Sequence, residues 1–397
     1  MRIRFKKADL LPASAIVQSV ANPQSTLPIL SNVRISTEHD NVVNFWATDY
    51  ETRVRIDVPA TVEERGEITV PARTFYDLVK ELPDDGEVTL EATGKGATIR
   101  CRDIRAELAT MPARDFPAWP ELQTKATFEV PQADLKRLLS KVLFAVPVRD
   151  PRKVLLGSLL EIRKDTIAAV ATDGKILARI KLPLQADMTG ASGDHNVIIP
   201  HKIMDELIRS LHDEGNVTLT LDDRQVSFRL NRIEYVSNQI DGKYPNYEAV
   251  VPKEFSRELR FQKPPMLAAI RRAAILSDIK NSAMTLHFQN DKVVVEAESY
   301  DRGRLREEIP AVVEGEDFKI VFNYKFIQDV LKAVEKEEVV VQVNQPTTPA
   351  VFRAGEDSDY FYLVMPIKLT ELRDADDDNE PTAVSAGPDS SGNPYEE

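Results

Sequence analysis

Three stretches of the chain share one alternation of apolar and polar positions. ITVPARTFYDLVKELP (68–83), VIIPHKIMDELIRSLH (197–212) and IVFNYKFIQDVLKAVE (320–335) each read as a short β-branched strand, a breaker or cap, then an amphipathic helix. Phe75, Leu78, Val79 and Leu82 stand at i, i+3, i+4 and i+7. Met204, Leu207, Ile208 and Leu211 repeat that stripe 129 residues later, and Ile327, Val330, Leu331 and Val334 repeat it 123 residues beyond that. One such stripe is a common accident. Three in register, each behind a strand, mark an internal repeat.

Other elements recur around this core. An earlier helix opens on Ala8-Asp9-Leu10 and again on Ala133-Asp134-Leu135, where Leu135, Leu138, Leu139 and Val142 share a face; a third copy between Pro264 and Leu276 carries Leu267 and Ile270. The alternating strands of FWATDYETRVRI (45–56) match AAVATDGKILARI (168–180), with VVVEAESYDRGRLREEI (293–309) as a looser copy. Strand pairs VTLEATGKGATIRC (88–101), VTLTLDDRQVSFRL (217–230) and VVVQVNQPTTPAVFRA (339–354) follow each second helix. Their period-two pattern predicts half-buried antiparallel sheet. The fold class is α+β, with three tandem domains at 1–123, 124–254 and 255–369. Residues 370–397 lack any period and are rich in Asp, Glu, Pro, Gly and Ser, which predicts a disordered acidic tail.

Composition and charge refine this picture. The 397 residues are 42% hydrophobic, enough for filled cores. No apolar run approaches the roughly 18 residues of a membrane span. MRIRFKKADL has no apolar core of a signal peptide, and the single Cys101 excludes an internal disulfide or a CxxC metal knuckle. A cytoplasmic protein is the expectation. The net charge of −13 is unevenly spread: nine acids against Arg373 leave the tail at −8 and the remainder at −5. The six predicted helices (7–20, 72–82, 131–144, 200–211, 263–276 and 323–334) sum to +6, so everything else in the body sums to −11. If the helices share a surface, it attracts phosphates without reading sequence. The competing reading is that helices simply carry solvated Lys and Arg.

Catalytic and cofactor patterns are missing. Gly94-Lys95, Gly174-Lys175 and Gly242-Lys243 lack the rest of a phosphate loop, and five scattered histidines give no zinc pair. Gly190-Ala191-Ser192-Gly193 falls short of a nucleophile elbow, and Ser192, Asp194 and His195 are neighbours in a loop rather than groups converging from afar. Glu63-Glu64 and Asp84-Asp85 read as solvated charge at turns. Thr172-Asp173-Gly174 reads as a hairpin turn in which Asp-Gly supplies positive φ angles, and Ala-Thr-Asp also occurs at 47–49. No catalytic residue, metal or cofactor is expected.

Eight segments occur in an order that is recognisable: TLPILSNV (26–33), ATDYE (47–51), VPARTFYDLVKELP (70–83), ARDFP (113–117), VATDGKILA (170–178), DGKYPNY (241–247), AAILS (273–277) and VMPIKL (364–369). Over residues 1–369 the chain resembles the bacterial DNA polymerase III β subunits, the sliding clamps. The resemblance implies domains with two inner helices packed on outer antiparallel sheets. It implies two copies joined head to tail in a closed ring that duplex DNA threads, a clamp-loader ATPase that opens it, and no catalysis of its own. It implies that polymerases and repair factors dock by short linear motifs. Matching positions make Arg73, Arg149, Arg152 and Lys153 DNA-facing, and helix charge adds Lys136, Arg137, Lys141, Lys202, Arg271, Arg272 and Lys332. Relatives often carry a base just before TLPIL, where Gln24 and Ser25 stand here.

The implied peptide pocket draws on Leu155, Thr172, Gly174, Lys175, Leu177, Pro245, Val250, Asn323, Phe326, Val364, Met365, Pro366 and Leu369. For Leu155, Leu177 and Val364, ordinary sheet core is the competing reading. Lys175, Ile176 and Ala249 depart from the family's usual residues. The implied subunit contact sets Arg100, Arg102 and Arg105 against Glu296, Glu298 and Asp301, with Ile275 and Leu276 near Leu108.

Overall fold

The computed structural model describes residues 1–39, 41–93, 96–184, 193–355 and 359–368. Gly94, Lys95, Ser192, Leu369 and the tail 370–397 lie outside the described residues. Two compact units are present. The first, Met1–Ala249 joined by Asp357–Tyr362, holds two domains; the second, Val250–Glu356 joined by residues from Leu363, holds one.

Among the described residues six α-helices form where the sequence predicts them: α1 (Lys7–Val20), α2 (Ala72–Glu81), α3 (Gln132–Val142), α4 (His201–Ser210), α5 (Lys263–Leu276) and α6 (Tyr324–Ala333). They pack in pairs, α1 on α2, α3 on α4 and α5 on α6. The first helix of each pair lies across the same two strands of its own domain: Val42–Thr48 and Thr52–Pro59, then Thr166–Thr172 and Ile176–Pro183, then Lys292–Ser299 and Gly303–Glu314. Phe75, Val79 and Leu82 are buried, as are Met204, Leu207 and Leu211, and Ile327, Val330, Leu331 and Val334. Leu78 and Ile208 lie at the stripe edges and stay partly exposed. On α5 the buried face is Met266, Ala269, Ile270 and Ala273, and Leu267 is displaced to the flank. Alanines give that face close approach to the sheet but little hydrophobic signal in sequence.

A shared cap explains why the helix pairs hold together. The Lys7 ammonium is buried and donates to the Lys80 carbonyl at 2.9 Å and to the Leu82 carbonyl, at the C-terminus of α2, and meets Asp84 at 2.8 Å. Gln132 takes the same place in the second domain, accepting from the His212 N–H at 3.1 Å and donating to the Asn216 carbonyl at 3.3 Å. Lys263 donates to the Val334 carbonyl at 3.0 Å. The first and third domains thus use the first residue of their first helix to satisfy carbonyls that the end of the second leaves over, whereas Gln132 in that place ties the N–H after α4 to the strand that follows.

In the first unit a five-stranded sheet runs Thr61–Glu64, Arg2–Lys6, Glu87–Thr93, Gly96–Cys101, Ile104–Leu108. Its last strand has no partner on the outer side among the described residues. Glu63 and Glu64, expected at a turn, lie in the opposite edge strand. Glu63 meets Arg2 at 3.0 Å and Arg4 at 2.7 Å, and Glu64 meets the Met1 amino group at 3.5 Å. The edge position turns a solvated pair into cross-strand ion pairing. Asp84 and Asp85 do sit at a turn, yet each carries a cation, Lys7 and Arg102.

An eight-stranded sheet joins the first two domains without a break. Ala126–Pro131, Asn216–Leu221, Gln225–Leu230 and Ile233–Asn238 continue into Thr52–Pro59, Val42–Thr48, Asn32–His39 and Glu67–Pro71. The seam pairs Ile233 with Ile56 through to Ser237 with Thr52. Arg55 crosses it to Glu234 at 2.5 Å and also stacks on Trp119 of the connecting segment, 4.7 Å from the ring centroid. Trp119 and Phe116 meet Trp46 edge-on at 5.5 and 5.4 Å, so the connector is pinned to the outer face of the sheet. The second domain also holds His195–Pro200, Gly157–Ile162, Thr166–Thr172 and Ile176–Pro183 in that spatial order.

In the second unit the order is Ala350–Ala354, Glu338–Val343, Arg257–Gln262, Gly303–Glu314, Lys292–Ser299, Ala283–Gln289, Phe318–Asn323. Strand Gly303–Glu314 bonds Arg257–Gln262 only through Ala311–Glu314. Among the described residues its first half bonds Lys292–Ser299 on one side alone.

Candidate functional site

The observed helices keep the +6 expected of them in a body of −5, with α5 at +3 and α3 at +2. The individual cations differ in how much of their hydrogen-bonding capacity is already used. Arg73, on α2, is exposed and holds Asp77 at 2.9 Å within its own helix. Lys136 reaches Asp213 at 3.5 Å and Lys332 reaches Asp329 at 3.6 Å. Arg137 is half-buried, and the Lys141 ammonium stands 5.7 Å from the Tyr360 ring centroid. Arg271 is exposed and forms no ion pair among the described residues, while its neighbour Arg272 forks onto Glu307 at 2.8 and 2.5 Å. Lys202 is committed to structure: it meets Asp49 at 2.5 Å and the Val20 carbonyl at 3.1 Å, tying α4 to the first domain. Beside it, the buried Glu206 accepts from the Ser19 hydroxyl at 2.6 Å.

The Asp49 that holds Lys202 belongs to a turn built twice. In the first copy the Glu51 and Thr52 N–H groups donate to Asp49 Oδ1 at 3.0 and 2.6 Å, and the Tyr50 N–H donates to Thr48 Oγ1 at 2.9 Å. In the second, the Lys175 and Ile176 N–H groups donate to Asp173 Oδ1, both at 2.7 Å, and the Gly174 N–H donates to Thr172 Oγ1 at 3.0 Å. Both threonine hydroxyls donate back across the turn, to Thr52 and Ile176 carbonyls. The repeated Ala-Thr-Asp therefore has a chemical cause: carboxylate and hydroxyl close the hairpin. The expected pair of positive φ angles at Asp-Gly is corrected, since only Gly174, at +89°, has one; Tyr50 occupies that place in the first copy at +73°.

Against the second turn lies the loop 148–153. Val148, Arg149, Arg152 and Lys153 are exposed. Arg152 forks onto Asp150 through Nε at 2.9 Å and Nη2 at 2.8 Å, and Nη2 also donates to the Asp173 carbonyl at 3.0 Å. That bonding, with the Arg152 N–H on Asp150 Oδ1 at 2.8 Å, lowers the Asp150 carboxyl to about 2. Arg149 and Lys153 form no ion pair among the described residues.

The remaining candidates divide between the two units. In the first, Leu155 and Leu177 are core residues, 0% and 3% exposed, whereas Gly174, Lys175 and Pro245 are at the surface. Thr172 is buried by its role in the turn. In the second, Val250 is exposed, Phe326, Met365 and Pro366 are half-exposed, and Val364 is fully buried. Asn323 caps α6 by accepting from the Lys325 N–H at 2.9 Å. The Ile367 N–H donates to the Val321 carbonyl at 2.8 Å, which lays the segment after Val364 along strand Phe318–Asn323.

Arg100 and Arg105 hold Glu91 and Glu107 of their own sheet, and Arg102 holds Asp85 at the turn after α2. Glu296 sits near Arg306 at 3.8 Å and Lys319 at 3.6 Å, Glu298 is exposed, and Asp301 accepts from Ser299. Ile275 is 67% exposed, Leu276 is half-buried, and Leu108 is buried. Asp194 pairs with Arg163 at 3.4 Å and the His195 ring packs edge-on against Phe128. Among the described residues no cluster of His, Cys, Asp and Glu is placed to hold a metal ion, and no helix is long and apolar enough to cross a membrane.

Comparison with known proteins gives one answer along the chain. Models of the N-terminal, central and C-terminal domains of the DNA polymerase III beta subunit match residues 1–120, 129–246 and 248–368. The beta sliding clamp of Pseudomonas putida is 31% identical over 374 residues, and that of Synechocystis is 30% identical over 390. In both cases the match covers 93% of this chain and all of the relative. A solved sliding clamp from Pseudomonas aeruginosa bound to griselimycin is 30% identical with a TM-score of 0.89, over 93% of this chain and all of that one. A clamp from Bartonella birtlesii, also bound to griselimycin, is 28% identical with a TM-score of 0.87 and the same coverage. Repeated helix pairs, duplicated turns and full-length likeness converge: the chain belongs to the family of bacterial DNA polymerase III β subunits, the sliding clamps.

Proposed function

We propose that this chain is the processivity clamp of a replicative polymerase, acting in the cytoplasm on the chromosome. Two copies close into a ring around duplex DNA, a clamp loader opens that ring with ATP, and polymerases and repair factors tether to it. The protein itself is non-catalytic, as its family is. The observation that carries this reading is the match of all three domains in order, over the full length of clamp relatives. The basic sum on the helices supports a threaded duplex held through its phosphates and free to slide. In this reading domains 1–123, 124–254 and 255–369 each present two helices to the hole. Arg73, Lys136, Arg137, Lys141, Arg149, Arg152, Lys153, Arg271, Arg272 and Lys332 face the duplex. Lys202 contributes charge while holding Asp49.

Ring closure has a structural rationale in the repeat. The first domain's strand Thr52–Pro59 continues into the second domain's Ile233–Asn238. Ile104–Leu108 is the first-domain counterpart of Ile233–Asn238, and Gly303–Glu314 is the third-domain counterpart of Thr52–Pro59. Among the described residues each has one bare side. Pairing Ile104–Leu108 of one copy with Gly303–Glu308 of the other satisfies both edges and closes the ring head to tail. Exposed Ile275 would then pack near Leu108. Arg100, Arg102 and Arg105 would meet Glu296, Glu298 and Asp301 at the rim, where each ion pair is worth about 0–1 kcal/mol.

The partner pocket is proposed to draw on Thr172, Gly174, Lys175, Leu177, Leu155 and Pro245 of the first unit. Griselimycin, bound by the Pseudomonas and Bartonella clamps, is expected to occupy it. Single-particle imaging of the full-length chain tests the assembly. The expected image is a six-lobed ring with a central hole; a monomer or an open assembly without a hole would refute it.

A further inference from the structure

The fork of Arg152 joins two surfaces that the proposed function uses for different partners. Loop 148–153 carries the exposed Arg149 and Lys153, and the turn Thr172–Ile176 carries Gly174 and Lys175. Arg152 is bonded to both. Its Nε and Nη2 hold Asp150 inside the loop, and the same Nη2 holds the Asp173 carbonyl in the turn at 3.0 Å. The loop also continues directly into buried structure, because the Leu155 N–H donates to the Arg152 carbonyl at 2.9 Å. Gly174 makes room for this arrangement: a Cβ there would stand 3.3 Å from Nη2 and 3.4 Å from Nη1. The Nη1 arm forms no hydrogen bond among the described residues, and the side chain is 53% exposed. A phosphate oxygen can therefore be accommodated by Nη1 without breaking either bond made by Nη2, since a guanidinium offers five donors in a fixed plane.

We infer that Arg152 is a positioning residue that couples duplex binding at loop 148–153 to ligand binding at the turn Thr172–Ile176. The inference rests on the proposed assignment of those two surfaces. Its sign follows from the bonding. Phosphates engaging Arg149, Arg152 and Lys153 order the loop. The ordered loop fixes the Asp173 carbonyl through Nη2, so a ligand arriving at the turn has less to immobilise. The coupling is positive and, as a binding free energy, reciprocal.

The test measures griselimycin affinity of the full-length protein by calorimetry, with and without saturating mixed-sequence duplex at low salt. Duplex affinity with and without griselimycin is measured in parallel. The wild type is expected to bind each ligand roughly fivefold more tightly in the presence of the other. Asp150→Asn breaks the fork yet leaves Arg149, Lys153 and the turn intact, and should bring both ratios to about one. Arg152→Lys keeps the charge but not the planar fork, and should do the same even if Asp150→Asn folds poorly. A wild-type ratio of one, or an undiminished ratio in both variants, overturns the coupling while leaving the two surfaces assigned. Failure of the wild type to bind griselimycin or duplex at all removes the assignment beneath it.

Discussion

The turns at Thr48–Thr52 and Thr172–Ile176 are made from the same bonds and meet different cations. In the first domain the Asp49 carboxylate, besides closing its turn, grips Lys202 of the second domain and helps weld the two together. In the second domain the Asp173 carboxylate closes its turn only, and the cation, Arg152, arrives at the backbone carbonyl instead. Tyr50 holds the left-handed position in the welded copy and Gly174 in the open one. A repeated motif thus becomes a fastening or a surface site according to what its neighbours bring, and residue identity inside the motif follows that use.

Removing each carboxylate should separate the two roles most sharply. Asp49→Ala takes away an acceptor for two N–H groups and the partner of Lys202, and should cost about 3 kcal/mol; Asp173→Ala should cost about half of that, roughly 1.5 kcal/mol. Urea denaturation followed by tryptophan fluorescence would read the first, because both tryptophans, Trp46 and Trp119, stand in the first-domain cluster. Equal losses would mean that Lys202 adds nothing to the weld.

Exchanging the left-handed residues gives smaller effects of opposite sign. Gly174→Ala forces a Cβ into a +89° conformation and toward the Arg152 guanidinium, so about 1 kcal/mol of stability should be lost, with weaker griselimycin binding. Tyr50→Gly relieves the strain at +73° and should gain about 0.5 kcal/mol, the entropy of the added glycine offsetting part of the relief. Thermal unfolding midpoints would show both, and a loss on Tyr50→Gly would mean that the tyrosine ring contributes more than its backbone costs.

The smallest expected effect is on titration. The Arg152 side chain, followed by its N–H, holds the Asp150 carboxyl at about 2, below the ordinary value near 3.9. A depressed acid contributes its stabilisation fully above the unfolded value and loses it as pH falls through the folded one. The loop-to-turn clamp should therefore persist at pH 4 and fail near pH 2. Carboxyl carbon shifts of Asp150 would follow this directly. In Arg152→Lys, which loses the fork, the midpoint should move back up toward the ordinary value.

Much of the fold was legible because its signal is periodic. The stripes through Phe75, Met204 and Ile327 gave α2, α4 and α6 within a residue or two, and the strand pairs that follow them read plainly by alternation. The α5 face was blurred since Ala269 and Ala273 pack by closeness rather than by bulk. Glu63 and Glu64 looked solvated because the cations that hold them, Arg2, Arg4 and the amino terminus, come from a strand sixty residues earlier. The candidate site was legible only as residue types. Charge marked Lys202 and the family resemblance marked Arg152 as phosphate ligands, but neither could show that one grips Asp49 and the other grips Asp150 and a carbonyl. Those bonds join positions far apart in the chain or depend on the shape of one turn. Lys7 and Lys263 share a capping role that their different surroundings hide.

Retention on DNA tests the central claim, encirclement, most directly. The protein is loaded by a clamp loader onto nicked circular duplex, isolated by gel filtration, and the DNA is then linearised. The account predicts that the protein stays with the circle and leaves soon after a double-strand cut opens an end. Equal retention on circular and linear DNA would contradict it, because affinity for phosphates alone does not depend on whether the duplex has ends.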